Sequence, residues 1–349
     1  LANEIVAEVH PDPADYWVLA PEWKELLSQI GETSPFLTPL WVGLSYEYFG
    51  GERLSFLISL RERGRLVGIA PLAIGPRGNT VRFAVDSRLT DYADLILSPA
   101  ARSECIARIL ETIKDFTGEE GFGVVLEPIR GNSPNLLALE QALGGKSTVI
   151  STHLAVKLPK SLDEFLYKSL RAEDRKSLLR KEDRLMRSHE VEVECLAEPM
   201  EVSENFDDLL WMFVAESAER KSFLTPEREA FLREVMPLAA KENACRLYYI
   251  RVDGARVAGH LVLENRDTVL VYMSAEGAVG AELSAGILLL KSITENAIER
   301  GFSWLDFGRG GEAYKRRMGA KEGKVYRLAA GNLAGAGEEG GKPENLMRL

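Results

Sequence analysis

Apolar and polar positions along the chain fall into the same pattern twice. Arg53 to Ile74 reads RLSFLISLRERGRLVGIAPLAI, and Arg246 to Asn265 reads RLYYIRVDGARVAGHLVLEN. Each is a pair of β-rich runs joined by a short polar turn. The turns carry Arg63-Gly64 and Asp253-Gly254, dipeptides that favour a hairpin. Downstream, Ile109 to Gly131 (ILETIKDFTGEEGFGVVLEPIRG) and Leu289 to Gly311 (LLKSITENAIERGFSWLDFGRGG) each read as an amphipathic helix, a Gly-Phe stop, a short strand and an Arg-Gly. Ile106, Ile109, Leu110 and Ile113 set the apolar face of one helix, and Leu289, Leu290, Ile293 and Ala297 that of the other. Gly121 and Gly301 stand where a helix C-terminus favours positive φ. A third strand is expected near Tyr92–Leu97 in the first half and over Val269–Ser274 in the second. A helix crossing between two strands implies a parallel pair within an otherwise antiparallel sheet. The pattern predicts a mixed α/β (α+β) module built twice, each with a mostly antiparallel sheet flanked by helices.

The halves are expected at 1–159 and 191–330. Between them, 160–190 reads as a helical basic connector that opens on the capping box Ser161-Leu162-Asp163-Glu164. From Lys160 to Arg187 it holds nine basic and six acidic residues, a solvated helix face or a basic edge along a cleft for an anionic substrate. The last stretch, 331–349, has five glycines and few apolar anchors and is expected to be a disordered tail.

Composition narrows the function classes. The 349 residues carry 43 basic and 53 acidic side chains, a net charge of −10. That argues against bulk, sequence-independent binding to DNA, whose affinity comes from neutralised phosphates. No apolar run approaches the ~18 residues of a membrane helix, and no signal peptide is visible at the start of the chain. The three cysteines (Cys105, Cys195, Cys245) and four histidines (His10, His153, His189, His260) are scattered. A disulfide framework or a metal site is therefore not expected, and a reducing, cytoplasmic compartment is.

Four stretches could carry chemistry. In SAEGAVGAELSAGILLLKS, Gly280 and Gly286 flank small residues just before a helix, whose N-terminal N–H groups suit a pyrophosphate. The matching stretch of the first half has no glycine between Gly78 and Gly118, so a pyrophosphate is expected in the second half only. In FGRGGEAYKRRMGAKEGKVYR, Asp306, Arg309, Tyr314 and Lys315 follow the repeated strand, within a span of seven basic and two acidic residues (Arg309 to Arg327). Such a cluster suits phosphate or a negative transition state. In LTDYADLILS, Asp91, Tyr92 and Asp94 could meet a hydroxyl-rich or cationic acceptor. His260, in VAGHLVLE, is the natural general-base candidate if its strand lines a cleft, and a structural histidine otherwise. There is no Gly-x-Ser-x-Gly elbow and no Walker loop.

The order of these elements resembles the cellulose-biosynthesis-type (CelD/BcsL) acetyltransferases of the GNAT superfamily. The likeness runs from about Trp17 to Ala330, through SPFLTPLWV (with Trp41), GRLVGIAPL, TDYADLIL, the basic connector, RVAGHLVLE, LSAGILLLKSITENAIERG and LDFGRGGEAYKRRMGA. More loosely, the chain is similar to the Fem-type aminoacyltransferases, which are also two GNAT-like domains in tandem. The resemblance implies two tandem GNAT-like domains and acyl transfer from acetyl-CoA or another acyl-CoA to an amine or hydroxyl of a small-molecule or saccharide acceptor. It implies a donor site at Leu283, Ser284, Ala285 and Gly286, with Arg309 beside it. His260 or Asp306 would take the proton and Lys315 or backbone N–H groups would stabilise the oxyanion, with Trp41, Asp91, Tyr92, Asp94 and Tyr314 toward the acceptor. A Fem-like use of aminoacyl-tRNA and a non-catalytic binding module are the alternatives. The run expected to grip a pyrophosphate is degenerate here, with Gly286 its one convincing member.

Overall fold

The computed structural model describes residues 4–32, 34–51, 54–75, 80–117, 122–331 and 347. Of the expected tail, only Gly331 and Met347 are among them; Gly121 lies outside. The chain divides into two compact units, Leu1–Ser151 with Lys324–Pro343, and Thr152–Gly323 with Glu344–Leu349. The expected connector 160–190 lies wholly inside the second unit, and residues 324–330 lie in the first.

Unit 1 contains β1 (Ile5–His10), α1 (Pro13–Ile30), α2 (Pro39–Phe49), β2 (Leu54–Glu62), β3 (Arg65–Ile74), β4 (Thr80–Phe83), β5 (Ile96–Leu97), α3 (Arg102–Thr117), β6 (Gly123–Arg130), α4 (Leu136–Leu143) and the start of β7 (Lys146–Lys157). The rest of β7 opens unit 2. There follow α5 (Leu162–Glu164), α6 (Ala172–Ser188), β8 (Val191–Leu196), α7 (Pro199–Glu216), α8 (Ala218–Phe223), α9 (Pro226–Lys241), β9 (Cys245–Val252), β10 (Ala255–Asn265), β11 (Thr268–Glu276), α10 (Ala278–Leu283), α11 (Ala285–Glu299), β12 (Trp304–Arg309), α12 (Ala313–Arg317) and β13 (Lys321–Gly331), most of which returns to unit 1.

The strands of the two units follow one topology. In unit 1, β1, β2, β3 and β4 pair antiparallel in sequence, β4 pairs parallel with β6, and β6 pairs antiparallel with β13. In unit 2, β8, β9, β10 and β11 do the same, β11 pairs parallel with β12, and β12 pairs antiparallel with β7. Both hairpin turns hold two consecutive positive-φ residues, Arg63 (48°) and Gly64 (79°), then Asp253 (50°) and Gly254 (82°), the conformation that matches the strand twist. The third strand of unit 1 differs from expectation. It is Thr80–Phe83, and of Tyr92–Leu97 only Ile96–Leu97 is strand, paired with β3. Short polar residues at Asp91 and Asp94 break the alternation that a longer strand needs.

Each unit has its own core. In unit 1 the apolar stripe of α3 (Cys105, Ile106, Ile109, Ile113) packs with Phe56, Ile58, Leu72 and Leu126, and a second cluster gathers Tyr16, Trp23, Leu37 and Ile69. In unit 2, Leu288, Leu289, Ile293 and Ala297 of α11 pack with Val262, Val271, Leu305 and Phe307. Each such buried aliphatic or aromatic side chain stabilises by about 1.5–3 kcal/mol. Leu178 and Leu185 of α6 join that core, and Lys291 of α11 ion-pairs with Glu182 of α6 at 2.8 Å. The charged helix is thus amphipathic, and its apolar face anchors it on α11.

Candidate active site in unit 2

The two parallel strands of unit 2 part shortly after they meet. β11 and β12 pair over Thr268, Val269 and Leu270 against Trp304, Leu305 and Asp306, and no further. Each strand is irregular where they separate. On β11, Leu261 and Val262 of β10 face Met273 and Val271, leaving Tyr272 as an extra residue. On β12, the register against β7 shifts between Asp306 and Arg309; there Gly308 has φ +65° and donates its N–H to Asp306 Oδ1 at 2.7 Å. A bulge bends its strand and ends regular pairing, so the two bulges explain the opening. The backbone of Ser274 serves the open side of β11: its N–H donates to the Met347 carbonyl (2.8 Å), and its carbonyl accepts from Arg220 Nη1 (3.0 Å).

A cavity of about 230 Å³ lies at the C-terminal end of β11, under the start of α11. Lys181, Asp174 and Ser177 of α6, Glu276 of β11, Ser284, and Tyr314 and Arg317 of α12 supply its polar wall; Leu170, Leu178, Ile287 and Met318 supply apolar surface. Ser284 is in the left-handed region (φ 57°, ψ 38°) and turns the chain from α10 into α11. Gly280 has a packing role: a Cβ there would lie 2.3 Å from the Val257 carbonyl oxygen, so the glycine lets α10 rest on β10.

The N-terminus of α11 already holds a carboxyl group, the side chain of Glu276. Its Oε1 accepts from Gly286 N–H at 2.8 Å, and the Ala285 N–H assists. Burial raises the Glu276 pKa, opposed by those N–H groups and by Lys181. Glu216 of α7 accepts the Glu276 backbone N–H (2.7 Å) and ion-pairs with Arg220 (2.8 Å), and its pKa is raised, mainly by burial.

Several residues singled out in the sequence have other duties. His260 is fully buried, with Nδ1 2.7 Å from Ser274 Oγ and Nε2 2.9 Å from the Gly286 carbonyl. A carbonyl accepts only, so Nε2 carries a proton and donates it to Gly286. His260 therefore ties β10 to β11 and α11, and it is not a solvent-accessible base. Lys315 is likewise 0% exposed; its Nζ donates to the Arg309 carbonyl (2.7 Å) and pairs with Glu312 (2.6 Å), closing the turn after β12. It stabilises the backbone in place of an oxyanion. Arg309 and Asp306 are buried in β12, and Asp306 holds the bulge. Of the expected donor seat, Leu283 packs against the core, Ala285 is buried, and Gly286 is bound by Glu276. Ser284 and Tyr314 do line the cavity.

Trp41, Asp91, Tyr92 and Asp94 come together in unit 1, where all four are buried. Trp41 Nε1 donates to Thr90 Oγ1 (3.0 Å), Phe36 stacks edge-on with both Trp41 and Tyr92, and the Arg130 guanidinium lies 3.7 Å over the Tyr92 ring. Asp94 accepts from Leu95 N–H (2.8 Å), Asn135 Nδ2 (2.9 Å) and the Ser133 hydroxyl, and burial pushes its pKa up to about 6. The Ala93 N–H donates to the Pro128 carbonyl of β6 at 2.7 Å. The segment that leaves β4 thus returns to β6, and this cluster is packing rather than an acceptor-facing surface.

Residues that the sequence reading missed are Glu276, Lys181, Arg317 and Ser274. Glu276 had a visible signal, an acidic residue ending a strand just before the loop into α11. Lys181 and Arg317 sat within charge runs that do not say which member turns inward.

Residues 172–316 match the family model described as an acetyltransferase (GNAT) domain. No curated protein matches the chain. Among solved structures, FemX is similar over 93% of this chain and 96% of its own, with 14% identity and a TM-score of 0.61. The C-terminal domain (DUF2156) of a lysylphosphatidylglycerol synthetase from Agrobacterium fabrum, itself described as putative, is similar over 93% and 94%, at 13% and 0.60. A tandem GNAT protein from the clavulanic acid biosynthesis pathway is similar over 93% and 98%, at 15% and 0.52. The fold is that of tandem GNAT-like domains, and the stretch that matches the acetyltransferase (GNAT) model lies within the second unit.

Proposed function

We propose that unit 2 transfers an acyl group from an acyl-CoA, acetyl-CoA first among them, to an amine or hydroxyl of a small-molecule or saccharide acceptor. The observation that carries this reading is the open edge of β11 running into the cavity under α11. A thioester-bearing arm needs a slot with backbone N–H donors, and the Ser274 N–H already holds a carbonyl there. Such a donor polarises a carbonyl and stabilises the oxyanion formed on attack. Lys181 and Arg317 would face the donor's phosphates. Glu276 would receive the proton from the attacking acceptor, because burial raises its pKa toward the working range of a general base. Holding both reactants in one slot supplies up to ~7–11 kcal/mol of the barrier. On this reading the chain is a member of the cellulose-biosynthesis (CelD/BcsL) type, acts in the cytoplasm and serves an exopolysaccharide or envelope acceptor. No described helix is long and apolar enough to cross a membrane.

A second reading is favoured by Glu276 itself. A carboxylate bound to the α11 N-terminus disfavours a diphosphate in that seat and suits the ammonium of an aminoacyl donor, as in a Fem-like use of aminoacyl-tRNA. Titration calorimetry separates the two. Acetyl-CoA binding that weakens about tenfold, ~1.4 kcal/mol, in each of Lys181→Ala and Arg317→Ala supports the first. Absence of binding at millimolar acetyl-CoA, with steeply salt-dependent binding of charged tRNA, supports the second.

A further inference from the structure

Beyond Leu270, β12 no longer runs beside β11, and the backbone groups on that side of β11 need other partners. Ala275 pairs with Gly259 of β10, and the Ser274 carbonyl and Glu276 N–H on either side of it turn to the open edge. A parallel neighbour opposite Ala275 would donate its N–H to the Ser274 carbonyl and accept the Glu276 N–H at its own carbonyl. Two side chains make both bonds instead. Arg220 Nη1 donates to the Ser274 carbonyl at 3.0 Å, and Glu216 Oε1 accepts the Glu276 N–H at 2.7 Å. Arg220 and Glu216 are themselves joined at 2.8 Å, four residues apart across the α7–α8 junction. The pair therefore copies the bonding of one residue of the strand that has left.

Both partners are held in place. Arg220 is buried, its guanidinium lies 4.7 Å from the centre of the Phe213 ring, and its backbone N–H donates to Ser217 Oγ at 3.2 Å. The Glu216 side chain is 23% exposed. An ion pair taken out of water adds little stability over an apolar pair of the same shape, and its use lies more in fixing one arrangement. Here the stretch that it fixes carries the Ser274 N–H and the Glu276 carboxyl.

We propose that Arg220 and Glu216 are positioning residues, which hold the Ser274 N–H and the Glu276 carboxyl in place for the transfer step without touching donor or acceptor. The inference rests on the reading of those two groups as oxyanion donor and base. Once the pair is broken, the end of β11 is free to shift, and a misplacement of ~1 Å can cost on the order of 100-fold in rate. Donor affinity rests on Lys181 and Arg317 of other helices, so the pair acts on rate and hardly on binding.

The test joins a positional readout to a kinetic one. Hydrogen exchange of the intact chain is resolved to single amides, and turnover is followed as CoA release from acetyl-CoA with a panel of primary amines. In Glu216→Ala the Glu276 amide is expected to exchange about tenfold faster; in Glu216→Gln, which keeps an oxygen acceptor, it is expected to exchange at the unaltered rate. In Glu216→Ala and Arg220→Met, kcat is expected to fall about tenfold or more, with KM for acetyl-CoA within about twofold. Gly254→Ala, in the β9–β10 turn with open space around its Cβ, is the control for lost stability and is expected to change neither. Unaltered exchange at Glu276 in Glu216→Ala overturns the proposal. So does a loss of turnover carried by KM, or a fall in kcat no larger than that of Gly254→Ala. Should Glu216→Ala or Arg220→Met not fold, Arg220→Lys decides. Lysine keeps a charge beside Glu216 but lacks the planar fork that reaches Ser274 as well, so kcat falls while the Glu276 amide stays protected; unaltered kcat overturns the proposal. If the unaltered chain releases no CoA, the acyl-CoA reading fails by itself; the clamp is then decided by exchange alone, faster exchange in Glu216→Ala supporting it and unchanged exchange overturning it.

Discussion

On the proposed reading, Glu276 is the residue on which the chemistry of unit 2 turns. Ionised, it would fill the N-terminus of α11 and repel an anionic donor; protonated, it would release both constraints. Burial raises its pKa, so donor affinity in the native chain should rise as pH falls through that titration. Glu276→Gln should bind acetyl-CoA about tenfold tighter at neutral pH, with the pH dependence flattened, yet transfer far more slowly. Calorimetry and single-turnover rates on the same variant measure both. Asp94 provides a stability counterpart in unit 1. Its folded pKa of about 6 lies above the unfolded value of 3.8, so its favourable contribution is complete below pH 4 and lost as pH rises through 6. Asp94→Asn keeps the geometry with Leu95, Ser133 and Asn135 without the charge. It should become the more stable form above pH 6, by up to about 3 kcal/mol for two pKa units, measured as urea midpoints across pH 4–8. Residue roles were the least legible part of the sequence. His260 and Lys315 are types that catalyse when exposed and brace when buried, and no local pattern separates the two. A lone histidine in an apolar strand pointed more to a brace than to a base, and in the fold it is fully buried and bonded to Ser274 and Gly286.

At the scale of elements, the hairpins, the crossing helices and the parallel pair were readable, because period, turn dipeptides and glycine stops are local signals. The bulges were not, since they depend on register between strands distant in sequence. Tyr272 and the Phe307–Gly308 step look like ordinary strand residues until β10 and β7 are laid beside them. The same holds for the third strand of unit 1, which Tyr92 and Leu95 advertised but Thr80–Phe83 forms. The β12 bulge can be tested alone. Gly308 has φ +65°, a region that costs an L-residue about 1–2 kcal/mol. Gly308→Ala should therefore destabilise unit 2 by that amount. If the bulge also sets the slot, acetyl-CoA affinity should fall as well, while an equal destabilisation from Gly254→Ala in the distant β9–β10 turn (φ +82°, open space around its Cβ) should leave it unchanged. Thermal melts with and without ligand separate the two effects.

At the scale of the whole chain, duplication was the strongest message of the sequence, and the strands of the two units bear it out in order and direction. What duplication concealed is that β7 and β13 each begin in one unit and end in the other, so cutting at 159 and 190 would part β7 from β12 and β13 from β6. It also concealed how differently the two copies use their parting strands: unit 1 bonds its own following segment there, while unit 2 keeps a cavity beside them. The claim at the centre of the account is that the donor enters unit 2, between the end of β11 and helices α6 and α11. Hydrogen exchange by mass spectrometry with and without saturating acetyl-CoA tests it most directly. The account predicts slowed exchange confined to peptides covering 174–181, 271–287 and 312–318, with 80–130 unchanged; protection in unit 1, or none at any millimolar concentration, would contradict it.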